Sequence, residues 1–197
     1  MEMPTARLPG RQPTRLTRGD WSRAGLTALL EGGPRAVTVE GIAARLGATK
    51  GSGYWHFSSR AELLQEVVTA YRRTYTDDLI AHVESHESGP EGQLRVLFDL
   101  IFRVRDEGNE ARILLSDEPV IAEAVADLAE RRIAFVADLL ASTGVGKAEA
   151  RRRAELAYCV VLGHEVLLAA APGSMSRPGR GPSRTDRVLA LLLDAQR

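Results

Sequence analysis

Cysteine is almost absent from this chain, since Cys159 is the single one among 197 residues. One thiol excludes an intrachain disulfide and is too little for a cysteine-based metal site. Long apolar runs are missing too, because no stretch of eighteen consecutive apolar residues occurs. Residues 1–13 also lack the apolar segment of a signal peptide. These absences predict a cytoplasmic protein with no membrane partner.

Net charge is absent as well, because 26 Lys and Arg residues balance 26 Asp and Glu residues. The distribution along the chain is uneven: residues 1–60 hold nine basic and four acidic residues, so the remainder carries the opposite balance. A basic front and an acidic remainder are typical of a protein in which only one part meets phosphate. Chance is the alternative explanation in a chain with so many charges.

Strand-type alternation of apolar and polar residues is also absent, whereas apolar residues recur at helical spacing in almost every segment. We therefore predict an all-α fold, punctuated by proline and glycine. Capping residues predict the starts of four N-terminal helices, at Thr17, Thr38, Thr49 and Ser59. Longer helices are predicted from Pro90, over 119–142, over about 147–171 and over about 183–195, with a flexible loop at 172–182.

The informative stretch is Thr38 to Leu64, which reads TVEGIAARLGATKGSGYWHFSSRAELL. It predicts a supporting helix, a sharp turn that begins at Gly47, and a short second helix that begins Thr-Lys. This is the helix-turn-helix pattern, in which the second helix enters the major groove of DNA.

In this stretch the sequence resembles the tetracycline-repressor-like (TetR) family of bacterial transcriptional regulators. Matching residues are Thr38, Ile42, Ala43, Gly47, Thr49, Gly51, Tyr54, His56, Phe57, Ser59, Arg60 and Leu63. The resemblance implies about nine helices: a basic arm at 1–14, a DNA-binding domain at 15–62 and a regulatory and dimerisation domain at 63–197. Gly53 departs from the pattern, because the family usually has a larger aliphatic residue there.

The resemblance and the chemistry of the side chains together give a set of DNA-binding candidates. Thr49 and Lys50 are expected at phosphate or at a guanine edge, and Ser52 and Gly53 are expected to face the groove. Burial is the alternative for Tyr54, and a solvated charge is the alternative for Arg60. The full set is Arg15, Arg18, Thr38, Thr49, Lys50, Ser52, Gly53, Tyr54, His56 and Arg60.

The C-terminal part carries two further expectations. A dimer interface between the last two helices and their copies is expected from Leu156, Val160, Gly163, Leu167, Val188, Leu189 and Leu192. A ligand pocket is expected from Phe98, Phe102, Phe135, Tyr158, Cys159, Leu162 and His164, although aromatic residues at helical spacing are more often core. His82 and His86 have a metal-compatible spacing but no evident third ligand, so no metal or cofactor is expected.

The sequence thus predicts a ligand-relieved repressor that binds a palindromic operator as a homodimer. Its expected partners are double-stranded DNA, a second copy of itself and a small apolar or amphipathic effector. A DNA-binding regulator without a small ligand, controlled by a partner protein or by abundance, is the main alternative. A helical enzyme is the remote one, because the phosphate-loop, HExxH and G-x-S-x-G motifs are all missing.

Overall fold

The computed structural model describes residues 16–104, 109–171, 173 and 181–193, and within these ranges it contains ten α-helices and no strand. The all-α prediction is confirmed. The predicted arm at 1–14 and most of the loop at 172–182 lie outside the described residues. The helices are α1 Arg18–Gly32, α2 Val39–Leu46, α3 Lys50–His56, α4 Arg60–Arg72, α5 Asp78–Glu84, α6 Gly89–Val104, α7 Asn109–Leu114, α8 Pro119–Ser142, α9 Lys147–Ala170 and α10 Arg184–Leu193.

The first helices begin where the capping residues predict. Thr17 accepts a hydrogen bond from the Asp20 amide at 3.2 Å, and the Asp20 carboxylate accepts one from the Thr17 amide at 2.9 Å. This reciprocal capping box satisfies two backbone donors that a helix start leaves without partners. Thr38 caps α2 through a single hydrogen bond, which its hydroxyl accepts from the Gly41 amide at 3.0 Å. Gly47 ends α2 with φ 63°, a left-handed conformation that glycine adopts without steric cost.

The helix that is predicted to start at Ser59 is more complex than its sequence suggests. A π-helical turn, Arg73–Asp77, joins α4 to α5 without a break in the helical path. Ser59 caps the start of α4 by accepting from the Glu62 amide, whereas the Glu62 carboxylate accepts from the neighbouring Ser58 amide. π-Turns inside helices are rare and are frequently found at functional sites.

Two buried clusters hold the helices together. The first combines α1, α2, α4 and Phe57, which follows α3, with residues of α7 and α8. Trp21, Phe57 and Leu29 are among its largest fully buried side chains. Ile113 of α7 and Leu128 of α8 belong to this same cluster. The helix-turn-helix unit is therefore not an isolated domain, because the body supplies part of its core.

The second cluster fills the body between α5, α6, α8, α9 and α10. Leu94 and Leu140 are fully buried at its centre, and α8 packs along α9 over much of the length of both helices. Within the described ranges, no helix combines the length and the apolar character that crossing a bilayer needs.

Candidate nucleic-acid interface and body cavity

Helix α3 has one buried face and one outward face. Gly53 is buried and His56 is half-buried on the inner side, whereas Lys50, Tyr54 and Trp55 are exposed on the outer side. Trp55 is 68% exposed and Tyr54 is 44% exposed, which is unusual for large aromatic side chains. The outer face of α3 is defined here as Lys50, Gly51, Tyr54 and Trp55.

Gly53 does not face outward, contrary to the sequence-based expectation. A Cβ atom at this position would lie 2.6 Å from Cγ1 of Val39 and 2.7 Å from Cη2 of Trp21. The absence of a side chain therefore lets α3 approach α1 and α2 closely. Gly51 is different, because a Cβ atom added there would have Oγ1 of Thr49 as its nearest neighbour, at 3.9 Å.

The start of α3 is organised by Thr49 and Lys50. Thr49 is exposed and its hydroxyl accepts a hydrogen bond from the Ser52 amide at 3.2 Å, which fixes the first turn; Ser52 itself is half-buried. The Lys50 ammonium lies 2.5 Å from a Glu40 carboxylate oxygen of α2 and 5.5 Å from the centre of the Tyr54 ring. The hydrogen bond to Glu40 raises the pKa of Lys50, so the ammonium stays charged.

His56 ties the end of α3 to the chain before α1. Its Nε2 lies 3.0 Å from the Leu16 carbonyl oxygen, and its ring meets the Trp55 ring edge-on at 4.8 Å. The same ring is 6.2 Å from Trp21 in the core. His56 is therefore half-buried between the outer and inner sides of the unit.

Arg18 is exposed, and its guanidinium is held by contacts within the helix-turn-helix unit. Its guanidinium bridges Glu62 at 2.9 Å and Glu66 at 3.0 Å, donates to the His56 carbonyl oxygen at 2.7 Å and lies 4.4 Å from the centre of the Phe57 ring. Hydrogen bonds from the Ser58 hydroxyl and amide, together with Arg18, lower the pKa of Glu62 to about 2. These contacts join α1 to α4, a role that the sequence did not reveal.

Arg60 connects the helix-turn-helix unit to the body. It donates to the carbonyl oxygens of Val37 at 3.0 Å and Pro34 at 2.8 Å, and to both Glu118 carboxylate oxygens at 2.8 and 3.2 Å. The alternative of a merely solvated charge does not describe Arg60, because its guanidinium has hydrogen-bond partners on three sides. Its assignment as a DNA contact stays a prediction. Thr38 is half-buried and used as the α2 cap, and Arg15 lies outside the described residues.

A cavity of about 50 Å³ lies in the body between the π-turn, α5, α6, α8 and α9. Its walls are mostly apolar, and Arg132 is the single charged side chain among them in the described part of the chain. The lining residues are Tyr75, Thr76, Leu79, Ile80, Leu97, Phe98, Ile101, Arg132, Phe135, Val136, Ala154, Ala157, Tyr158 and Val161.

This cavity contains some of the predicted pocket residues and not others. Phe98, Phe135 and Tyr158 line it. Phe102 stacks on Phe98 but meets His164 on its other side, and those two residues with Cys159 and Leu162 are outside the lining. The sequence reasoning missed Arg132 and the π-turn, because their proximity to the cavity depends on long-range packing.

Helix α9 carries an exposed apolar face, defined here as Leu156, Val160, Gly163 and Leu167. Leu156 is 65% exposed and Val160 and Leu167 are about half exposed, at the 4-3-4 spacing of one helix face. Helix α10 differs from the expectation for a dimer interface: Val188, Leu189 and Leu192 are buried in the core of the subunit, and α10 exposes Leu191 instead.

His82 and His86 lie at the end of α5 with ring centres 4.8 Å apart. Nδ1 of His86 lies 2.9 Å from the His82 carbonyl oxygen, so that nitrogen has a backbone neighbour one helical turn away. Among the described residues, no group of three potential metal ligands converges here or elsewhere.

Residues 23–67, which span most of α1 to α4, match the bacterial regulatory proteins of the tetR family. The chain is 31% identical over 86 residues to the HTH-type transcriptional regulator TtgR of Pseudomonas putida, and equally to the probable HTH-type transcriptional regulator ArpR of the same species. Each match covers 44% of this chain and only 41% of the relative.

Similarity of fold extends over most of the chain. A transcriptional regulator from Rhodococcus sp. Rha1 has a TM-score of 0.68 at 19% identity, over 91% of this chain and 95% of that one. A TetR transcriptional regulator from Legionella pneumophila gives 0.68 at 16% identity, over 80% and 89%. The SmeT-triclosan complex gives 0.64 at 21% identity, over 90% and 88%. The N-terminal helix-turn-helix thus matches the tetR family of bacterial regulatory proteins, and the all-helical fold of the chain is similar to that of solved transcriptional regulators.

Proposed function

We propose that this protein is a transcriptional repressor that binds a palindromic DNA operator as a homodimer and releases it when a small molecule occupies the body cavity. It would act in the cytoplasm, where the DNA is, and without a catalytic step. The observation that carries the proposal is the outer face of α3, where a cation and two large aromatic side chains are exposed on a helix anchored from behind.

The chemistry of this face suits double-stranded DNA. The Lys50 ammonium can transfer from Glu40 to a phosphate or a guanine edge, since both partners of the existing ion pair are exposed. Tyr54 and Trp55 offer a hydroxyl, an indole N–H and apolar surface for backbone and thymine contacts. Gly51 lies on the same face and has no side chain, so the helix backbone can approach the bases closely there.

DNA binding can be tested with a matched pair of lysine variants, because the chain has two lysines and only one lies on α3. An operator is first selected from a random double-stranded library with the full-length protein. Lys50→Ala is expected to weaken binding to it, and Lys147→Ala, at the exposed start of α9, is expected to leave binding unchanged. Equal effects of the two variants would remove α3 from the interface.

The two tryptophans give an independent optical test. Trp21 is fully buried and Trp55 is 68% exposed, so acrylamide quenching of the free protein reports mainly on Trp55. Bound DNA is expected to shield Trp55 and reduce this quenching, and Trp55→Phe is expected to abolish the change. Quenching that stays the same at saturating DNA would contradict the proposed orientation of α3.

The homodimer is supported by the exposed α9 face. Leu156, Val160 and Leu167 lie on one stripe, and Leu191 of α10 adds a further exposed leucine. A contiguous apolar stripe of this kind is typical of an interface, and a two-fold dimer brings two recognition helices to half-sites about one helical turn apart.

Sedimentation can test the dimer with two leucines of similar exposure. Leu156→Glu is expected to produce monomers and to weaken operator binding, because it adds a charge to the α9 face. Leu115→Glu changes a leucine that is 73% exposed, outside that face, and is expected to stay dimeric. A wild-type protein that sediments as a monomer at micromolar concentration would overturn this part of the proposal.

Relief by a ligand is supported by the position of the cavity beside the π-turn that follows α4. A reporter gene placed under the selected operator is expected to be silenced by the protein and restored by an effector. Expression that rises when the protein is present would identify an activator. Silencing that no small molecule relieves would favour control by a partner protein or by abundance.

A further inference from the structure

The buried cation of the cavity is already paired. Arg132 is 12% exposed and Glu110 of α7 is 3% exposed, and the Arg132 guanidinium donates to a Glu110 carboxylate oxygen. The same oxygen accepts a hydrogen bond from the Tyr71 hydroxyl of α4 at 2.6 Å. These three side chains are named here the Arg132–Glu110–Tyr71 triad.

Arg132 also holds the π-turn. Its Nε donates to the Thr76 hydroxyl at 2.9 Å, and a terminal nitrogen donates to the Tyr75 carbonyl oxygen at 3.2 Å. Thr76 is buried and, like Tyr75, lines the cavity. The guanidinium is therefore oriented by neutral acceptors on one side and by a single carboxylate on the other.

We infer that the effector is an amphiphilic carboxylate whose apolar part fills the cavity and whose anionic head replaces Glu110 at Arg132. This inference rests on the proposed function and names its ligand class. The apolar walls select the hydrocarbon part, and the one buried cation selects the charge. One terminal nitrogen of Arg132 now donates to a single Glu110 oxygen, so an incoming carboxylate can take over that charge-assisted hydrogen bond.

Exchange follows from the electrostatics of the site. Two carboxylates cannot both stay ionised beside one buried arginine, because like charges at short distance repel and the apolar walls do not solvate them. An acid that binds Arg132 therefore displaces Glu110. A neutral ligand of the same shape leaves the triad intact and gains only apolar contacts.

Displacement of Glu110 changes the support of the helix-turn-helix unit. Glu110 belongs to α7, whose Ile113 is buried in the same cluster as Trp21 of α1. Its other partner in the triad, Tyr71, is a buried residue of α4 in that cluster. Helix α7, which carries Glu110, and Tyr71 of α4 thus both pack in the cluster that positions α3. Displacement of Glu110 by the effector therefore changes DNA affinity through α7 and α4.

The cavity has limited room as it stands. Its volume of about 50 Å³ corresponds to roughly three or four water-sized groups. Half-buried Phe135 and Tyr158 must move outward to admit a longer chain or a ring. Occupation therefore also displaces α8 and α9 side chains next to Arg132.

The experiment compares acids with their amides on the full-length protein. Hexanoate and phenylacetate are the probes, and hexanamide and phenylacetamide are the matched neutral controls. Melting shifts and calorimetric titration are expected to give about 10- to 100-fold tighter binding of each acid than of its amide, the range of a charge-assisted hydrogen bond. The acids, and not the amides, are expected to lower affinity for the selected operator.

Two variants make the result specific to the triad. Glu110→Gln removes the competing carboxylate, so it is expected to melt earlier than wild type and to be restored by the acids, with about tenfold tighter acid binding. The double variant Arg132→Met with Glu110→Leu replaces the pair by apolar residues and so keeps the core filled. It is expected to bind acid and amide equally.

Several outcomes would overturn the inference. They are equal binding of acid and amide to wild type, no restoration of Glu110→Gln by the acids, retained acid preference in the double variant, or no binding of either acid. If the protein still binds its operator in any of these cases, the ligand class is wrong and the DNA-binding function stands. If acids bind but no DNA does, the proposed function fails and the carboxylate site remains.

Discussion

Alanine at the two glycines of α3 is expected to have opposite effects on stability. In a helix interior alanine is favoured over glycine by up to about 1 kcal/mol, so both substitutions gain the same intrinsic term. At Gly51 the new methyl group meets nothing closer than 3.9 Å, and Gly51→Ala is expected to stabilise the protein by about that amount. The outer face of α3 is open at this position.

At Gly53 the same methyl group would overlap the core. Contacts of 2.6 Å to Val39 and 2.7 Å to Trp21 are shorter than real Cβ contacts, and both neighbours are themselves fully packed. Overpacking of this kind typically costs about 1–3 kcal/mol. After the gain in helix propensity, Gly53→Ala is expected to be destabilised by up to about 2 kcal/mol relative to wild type.

The assay is urea denaturation followed by circular dichroism at one fixed protein concentration. Since the helix-propensity term is common to both, the stability difference between the variants isolates the steric term and is expected to be about 1–3 kcal/mol. Trp21→Phe in the Gly53→Ala background is expected to recover part of the loss, because it removes the ring atoms that clash. If both glycine variants unfold at the same urea concentration, the close approach of α3 to Trp21 is refuted.

Three more predictions concern charged contacts. Glu40→Gln is expected to tighten DNA binding, since it releases the Lys50 ammonium and removes a carboxylate near phosphate; fluorescence anisotropy with the selected operator measures this. Arg60→Ala removes hydrogen bonds to Glu118 and to two carbonyl oxygens, so it is expected to lower the free energy of unfolding by about 1–3 kcal/mol. The salt dependence of DNA binding is expected to stay unchanged. A salt slope that falls by about 0.9 would instead mean that Arg60 contacts a phosphate. The folded pKa of Glu62, about 2, lies below its ordinary 4.5. Glu62 therefore contributes stability that is present above pH 4.5 and is lost as pH falls towards 2. Melting curves of Glu62→Gln should change less than those of wild type between about pH 6 and about pH 2.5.

Local features of this fold could be predicted from the sequence. Thr17, Thr38 and Thr49 each cap the helix that was expected to follow them, because a cap depends on a hydrogen bond over three residues. The left-handed turn at Gly47 is equally local. Helices α8 and α9 could be predicted for the same reason, because the spacing of apolar residues along a helix is also a local pattern.

Features that depend on distant parts of the chain were not predictable in this way. Arg60 and Glu118 are 58 positions apart, and Arg18 and Glu66 are 48 apart, so nothing in their local sequence indicates an ion pair. The inward orientation of Gly53 depends on the ring of Trp21 on another helix. The DNA-binding residues and the dimer face remain predictions, to be tested by the variants described above.

Helix α8 can act as a lever, because one continuous helix joins the Arg60 contact at its start to Arg132 at the cavity. The fourteen residue steps from Glu118, the N-cap of α8 that holds Arg60, to Arg132, which borders the cavity, span about 21 Å at the helical rise. A tilt of about 5° about the Arg132 end would carry the Glu118 end through about 2 Å, enough to break a hydrogen bond at 2.8 Å. A sub-ångström shift of α8 beside a bound molecule thus becomes a larger displacement at Glu118, next to Arg60 and the carbonyl groups that it holds.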